Sequence, residues 1–233
     1  MTSVVAINSS PRMNEGNTAL ILNPFLDGVR EAGAQVELVY SRKLNIQPCT
    51  GDFACWGWGG THGKCHIKDD MEGLLNKLRE AEIWVYAIPV YVPMPGEMQN
   101  ILNRLMPLFD GSVVTRGNRM FPHRRPEVKL KKIALVASSG YWERENFDAL
   151  LYTIQKACDS MSTEFAGALL RPHADVLAGI IKSEGKADFI FDAAREAGRQ
   201  LVKSEKMSPQ TLKVIETPLL SFNELVHQIS KSE

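Results

Sequence analysis

The sequence predicts an α/β protein: a doubly wound, five-stranded parallel sheet with helices on both faces. Two observations predict it. Five short apolar runs alternate with stretches of helical periodicity along the 233 residues, the pattern of repeated strand–helix–strand units. The first of those runs also leads through a polar, hydroxyl-rich loop directly into a helical pattern, which is where open α/β sheets hold phosphate.

The elements follow in order. Residues 4–8, a Val-Val-Ala-Ile run closed by Asn8, read as a buried parallel strand. A helix is expected over 18–32, interrupted by Pro24 near its first turns and closed by Gly33 as a C-cap. Residues 35–40 alternate Val36, Leu38 and Tyr40 as the second strand. Asp69 and Asp70 precede a helix over 71–80, where two acids favour the positive helix end. Residues 83–88 are the third strand, ended by Pro89-Val90-Tyr91-Val92-Pro93-Met94-Pro95, and a helix is expected over 96–109. Residues 132–137 are the fourth strand, ended by Ser138-Ser139-Gly140-Tyr141-Trp142, with a helix over 146–161. Residues 164–170 are the fifth strand, 187–203 an amphipathic helix, and 209–229 hold at least one more helix. One domain is expected over 1–205, with 206–233 a helical extension packed on it. Two connections exceed the usual length and are functional candidates: 49–68, rich in Gly and Trp, and 111–128, irregular and rich in Arg, Pro and Gly.

Bulk properties exclude several classes. Lys and Arg total 27, as do Asp and Glu, so no global field favours nucleic acid or an acidic membrane. No apolar run reaches the length of a membrane span. The run at 4–7 is too short for a signal peptide, which makes the cytoplasm the default expectation.

The first loop carries phosphate chemistry. Helix-start N–H groups point outward with partial positive charge. Ser9, Ser10, Asn17 and Thr18 add short donors, and Arg12 adds a cation. The loop lacks the Gly-Lys-Ser/Thr ending of a P-loop and the Gly-x-Gly-x-x-Gly of a dinucleotide fingerprint. Such a loop suits a monophosphate held mainly by neutral donors. The loops after the first, third and fourth strands all leave carboxyl ends, so they share one edge of a parallel sheet. The second, with Pro89, Val90, Tyr91 and Met94, offers a rigid backbone with aromatic and thioether faces. The third, with Ser138, Ser139, Gly140, Tyr141 and Trp142, offers backbone donors, close approach at a glycine, and two aromatics. A ligand with a phosphate at one end and a flat hydrogen-bonding ring at the other satisfies all three, and FMN has that outline.

These motifs bring a family into view. Ser10-Pro11-Arg12 with Gly16-Asn17-Thr18, then Lys64-Cys65-His66-Ile67-Lys68-Asp69-Asp70-Met71, then Pro89-Val90-Tyr91, then Asn103-Arg104, resemble the NADPH-dependent FMN reductase family of the flavodoxin-like fold. Its iron–sulfur flavoprotein branch is the nearest match, over roughly residues 3–170. The resemblance implies FMN, NAD(P)H as hydride donor, and a homodimer or homotetramer whose interface helps close the flavin site. It implies Ser10, Arg12, Asn17 and Thr18 at the phosphate, and Pro89, Val90, Tyr91 and Met94 along the isoalloxazine. It also implies Ser138, Ser139 and Gly140 at the ring's polar edge, with Tyr141 or Trp142 covering the ring or the partner's site. Two departures stand out: Asn8-Ser9 where the family often has Asn-Gly, and Gln99-Asn100 where a Lys-Asn pair is common.

Cys49, Cys55 and Cys65 crowd together, and Cys158 falls in a helix as a small core residue. The iron–sulfur branch carries Cys-x-x-Cys-x-x-Cys and one further cysteine; here Asp52 occupies the second position and Cys65 follows Cys55 by ten positions. Three readings stand: a degenerate, cluster-free loop shaping the substrate pocket, which is favoured; a 4Fe-4S cluster with Asp52 as a ligand; or zinc on some of Cys49, Cys55, Cys65, His62 and His66. Trp56 and Trp58 suit either a mobile lid or, slightly favoured, a hydrophobic plug. The run His123-Arg124-Arg125 with Lys129, Lys131 and Lys132 reads as a solvated approach to a strand, or as a seat for the 2′-phosphate of NADPH. His173 reads as a loop residue.

The expected activity is an FMN-dependent NAD(P)H oxidoreductase. Hydride would pass from nicotinamide to flavin and on to a quinone, flavin, nitro or azo acceptor, with no catalytic side-chain nucleophile and no partner nucleic acid or membrane. An iron–sulfur/FMN electron carrier is the alternative.

Overall fold

The computed structural model describes residues 1–56, 62–180, 186–204 and 206–230. Its centre is a five-stranded parallel sheet built from β1 (Ser3–Asn8), β2 (Gln35–Tyr40), β3 (Ile83–Pro89), β6 (Lys132–Ser138) and β7 (Glu164–Arg171). The order across the sheet is β2-β1-β3-β6-β7, with every neighbouring pair parallel. That is the flavodoxin-like order, in which the chain reverses its winding beside β1 and leaves a crevice at the carboxyl ends.

Continuous apolar runs form these strands because both faces of the sheet are covered. On β3, Trp84, Tyr86 and Ile88 enter one core while Ile83, Val85 and Ala87 enter the other. The first core is closed by α2 (Met71–Glu80), α3 (Gly96–Asn103) and α4 (Asp148–Ser160). The second is closed by α1 (Asn17–Glu31), α5 (Ala174–Ile180), α6 (Asp188–Lys203) and α7 (Pro209–Ile215). Helices α1 and α6 cross with backbones in contact: a Cβ on Gly28 would collide with the Arg195 carbonyl, and one on Gly198 with the Phe25 carbonyl.

Several sequence expectations change in detail. Helix α1 runs through Pro24, whose missing N–H and ring crowding the helix tolerates because its apolar face is buried in the core. Gly33, at φ +91, ends it with its N–H on Arg30 O and the Ala34 N–H on Val29 O. The helix expected over 96–109 stops at Asn103. Pro107 lacks the N–H an α-helix needs, so the chain passes through a short 3-10 turn, Met106–Leu108, into a strand. The segment expected to be irregular over 111–128 is largely an antiparallel hairpin, β4 (Phe109–Arg116) and β5 (Arg119–Arg124), turned at Gly117. Arg116 and Arg119 flank the Phe121 ring, 5.6 and 5.0 Å from its centroid. Past α6, Ser208 caps α7, accepting from the Thr211 N–H at 3.1 Å. The last described helix, α8 (Phe222–Ser230), touches the rest through the edge of Phe222 on Trp142. Among the described residues, no helix is long and apolar enough to cross a membrane.

Candidate functional site: a three-loop crevice and a thiol-lined cavity

The carboxyl ends of β1, β3 and β6 are joined by direct hydrogen bonds. The Ser9 N–H and Oγ–H both donate to Ala87 O, at 2.9 and 3.1 Å. The Val90 N–H donates to Ser138 O at 2.8 Å. Thr18 Oγ1 and Ser138 Oγ lie 2.7 Å apart, tying the first turn of α1 to the end of β6. Asn17 Nδ2 donates to Asp175 Oδ1, and Asp175 Oδ2 lies against Gly140. The structure therefore gathers Ser10, Asn17, Thr18, Pro89, Val90, Ser138, Ser139 and Gly140 at one rim.

The phosphate arm is a tight loop. Asn8 organises it, its Oδ1 accepting from the Ser10 N–H at 2.9 Å and its Nδ2 donating to Met13 O at 3.2 Å. Gly16 packs against Ser10 so closely that a Cβ there would displace the hydroxyl. Thr18 and Asn17 spend their side chains on Ser138 and Asp175. They fix the loop, and an anion would find Ser10, the exposed Arg12 and the first-turn N–H groups of α1. That donor set fits a phosphate monoester.

On the ring arm, Met94 is buried while Tyr91 and Val92 are exposed, and the Tyr91 N–H turns back to Pro93 O at 3.1 Å. Ser139 Oγ accepts from the Tyr141 N–H at 3.2 Å and leaves the Tyr141 ring in solvent. Trp142 is engaged elsewhere: it stacks on His173 with centroids 4.7 Å apart. His173, expected in a plain loop, is buried at φ +37. Burial, then the neighbouring Arg171, pushes its imidazole down to about 4, so the ring is neutral. Arg171 is fully buried and donates to Pro172 O, Ile215 O and Thr217 O, anchoring the end of α7. No pattern in the sequence marked Arg171 or Asp175; both act through partners distant in the chain.

A second feature lies beside α3. Cys49, Asp52, Cys55, Cys65 and His66 line a cavity of about 390 Å3 with Phe53, Leu102 and Met106 among its other walls. The long spacing before Cys65 is short in space, because the Gly63 N–H donates to Cys55 O at 2.8 Å and brings the chain back. Burial, then the nearby Cys65 and Cys49 thiols, push the Cys55 thiol up. Among the described residues, no three His, Cys, Asp or Glu groups are gathered tightly enough for a single ion. That arrangement does not fit zinc shared by several of these groups. Trp58 lies outside the described residues; Trp56 is half-buried, its Nε1–H donating to Met106 O at 3.1 Å, as a plug does.

Asp69 and Asp70, expected to favour a helix end, clamp this loop. Asp69 accepts from the Gln47 N–H at 2.9 Å and from two nitrogens of Arg104 at 2.8 and 3.1 Å, and Asp70 accepts from the Asn45 N–H at 2.7 Å. The basic run is likewise occupied: Arg124 donates to Leu130 O, and Arg125 to Pro107 O and Phe109 O. Cys158 is buried in the core, its thiol pushed up to about 12 by that burial.

Comparison with known proteins places the fold and the family. An iron–sulfur flavoprotein of Methanocaldococcus jannaschii is 32% identical over 106 residues, 45% of this chain and 52% of that protein. The chain spans about half the length of the curated relatives it matches. An FMN-dependent NADH-azoreductase of Bacillus anthracis, solved with FMN, superposes with a TM-score of 0.62 at 11% identity, covering 87% of this chain and all of that one. An NAD(P)H:quinone oxidoreductase of Methanothermobacter marburgensis superposes with a TM-score of 0.58 at 14% identity, covering 86% of this chain and 96% of that one. At these identities the solved structures share the fold. The family model for NADPH-dependent FMN reductases matches residues 2–158, and the chain belongs to that family.

Proposed function

We propose that the protein binds FMN across the three loops and acts as an NAD(P)H-dependent oxidoreductase. The observation that carries this reading is the hydrogen-bonded convergence of the ends of β1, β3 and β6. Bound FMN supplies hydride acceptance from a nicotinamide and delivery to a quinone, a free flavin, a nitro or an azo compound. The chain's part is to bind and orient. Ser10, Arg12 and the first turn of α1 take the phosphate, on a loop that Asn17 and Thr18 hold in place. Pro89, Val90, Tyr91 and Met94 line the ring. The backbone around Ser138, Ser139 and Gly140 is held toward its polar edge by the bonds from the Ser139 N–H to Arg171 O and from the Val90 N–H to Ser138 O. Tyr91, Val92 and Tyr141 stand exposed at the open side, where a second copy in a homodimer or homotetramer would exclude water.

The test is a titration of the purified chain with FMN, followed by NADH or NADPH without oxygen. The expected result is one FMN per chain, bleached by a nicotinamide and restored by a quinone or azo dye. A chain that takes up no FMN sinks the reading. The thiol-lined cavity favours one alternative, an iron–sulfur/FMN electron carrier; bleaching without turnover of any small acceptor would select it.

A further inference from the structure

We propose that the cavity walled by α2, the loop over 62–67 and the exit of β5 is an oxyanion site that takes a small sugar phosphate. It is separate from the flavin crevice, and none of the rim residues lines it.

Three observations carry it. The first is the cavity, about 420 Å3 in volume, with Lys64, Arg79 and Arg125 in its walls beside the carboxylates Glu72 and Glu127. It is distinct from the thiol-lined cavity, although Cys65 borders both. The second is the meeting of two guanidinium groups at one residue. Arg79 Nη2 donates to Gly63 O at 3.0 Å, and its Nη1 donates to Asn76 Oδ1 at 2.7 Å. Arg125 lies against the same glycine, where a Cβ would stand 3.0 Å from its Nε and 3.1 Å from its Cζ. Gly63, at φ +78, is the residue type that permits both the turn and this approach. Two like charges held against one residue repel each other. The third is that nothing neutralises them. Among the described residues, no carboxylate lies within ion-pair distance of Lys64, Arg79 or Arg125. Elsewhere the chain does pair its guanidinium groups, as Arg195 and Arg199 do on Glu31.

The donors left over suit a tetrahedral anion. Arg125 spends its Nε–H on Pro107 O and Phe109 O, both at 3.1 Å, and keeps its terminal nitrogens. Arg79 keeps its Nε–H. Because backbone carbonyls already fix both side chains, little ordering cost falls on binding. The guanidinium fork matches phosphate geometry. The remaining walls set the class of ligand. Glu72 and Glu127 repel the extra charge of a polyphosphate and accept hydrogen bonds from hydroxyls. Ile67 and Leu75 offer an apolar surface for a carbon skeleton. A phosphate monoester of a small sugar has all of these parts.

The experiment is a calorimetric titration of the full chain with FMN bound, which fills the phosphate arm of the flavin crevice. The probes are ribose 5-phosphate and inorganic phosphate. The expected result is one ribose 5-phosphate per chain, bound more tightly than inorganic phosphate and less tightly at high salt. Arg79→Gln should weaken it about tenfold, the size of one charge-assisted contact. Lys64→Gln changes an exposed side chain, spares the fold and should weaken it as well. Glu127→Gln should tighten inorganic phosphate, a gain that a damaged fold does not produce. Four results overturn the proposal: neither probe bound at millimolar concentration; ribose 5-phosphate bound no more tightly than inorganic phosphate; affinity unchanged in both Arg79→Gln and Lys64→Gln; or binding only to the chain without FMN, which would put the probe on the first loop. FMN uptake is measured on every variant and reports the flavin reading separately. If the chain takes up no FMN, the same titration is run on Arg12→Ala, which removes the first loop's cation and leaves this site whole.

Discussion

Thr18 Oγ1 and Ser138 Oγ lie 2.7 Å apart with both residues buried, so one hydroxyl pair fastens the start of α1 to the end of β6. The bond uses one hydroxyl proton of the two, and the pair sets the distance between the loop that takes a phosphate and the loop that faces a ring. Thr18→Val keeps the shape and removes one partner. It should cost about 1–3 kcal/mol, because Ser138 keeps a buried polar atom without its mate. Thr18→Ser should cost less. Urea denaturation with and without FMN checks this, and a Thr18→Val chain as stable as the original would show that the pair holds nothing.

Arg12 separates the phosphate from the rest of the ligand. It is exposed at the loop, so its removal leaves the core untouched. Arg12→Ala should weaken FMN about tenfold, the size of one charge-assisted contact, and leave riboflavin affinity unchanged. Paired fluorescence titrations with the two flavins measure it. Equal losses for both would place the phosphate elsewhere.

What the sequence disclosed depended on whether the physics was local. Val4 to Ile7 and Ile83 to Ile88 are apolar without interruption because both sheet faces are covered, and such runs are readable in one dimension. Strand ends of a parallel sheet share an edge by topology, so the neighbourhood of Ser10, Val90 and Ser138 was legible before any coordinates. Asp69 was legible only as an acid ahead of a helix, because its partner Arg104 lies 35 residues away. The β4–β5 hairpin was obscured by its composition: a stretch rich in Arg, Pro and Gly reads as irregular, and only the folded hairpin lays Arg116 and Arg119 on Phe121. Trp142 looked like a ring cover, but His173 from the end of β7 captures it.

The Asp69–Arg104 pair predicts an acid-sensitive loop. Burial alone would raise the Asp69 carboxyl. The hydrogen bonds from Arg104, then from the Gln47 and Met71 N–H groups, outweigh it and hold the group below its ordinary 3.8. A carboxyl lowered in the fold contributes stability above its unfolded value, and that contribution is lost as pH falls through the folded value. Asp69→Asn leaves Arg104 a buried charge without a counter-ion, which should cost about 3–5 kcal/mol at neutral pH. It should also make stability less dependent on pH below about 4. Denaturation at pH 7 and in acid, with protease cutting near residue 47 as a local readout, checks both. Wild-type resistance to cutting in Asp69→Asn would separate this pair from the loop.

His173 predicts a second pH dependence in a different window. Burial first, then the charge of Arg171, depress its imidazole from 6.5 to about 4. Between those values the unfolded chain binds a proton that the folded chain refuses. Stability therefore rises with pH from about 4 to 6.5 and is flat above it, the opposite of a histidine that gains a carboxylate partner on folding. At about 1.4 kcal/mol per unit, the full depression is worth up to about 3 kcal/mol. His173→Gln removes the titration and keeps an acceptor for Arg171 Nη2, so its stability should be flatter across that window. Because the ring stacks on Trp142, tryptophan fluorescence should report protonation of the original chain as the acid side is approached. A His173→Gln chain with an unchanged pH profile between 4 and 6.5 would mean that the imidazole is not the group refused a proton.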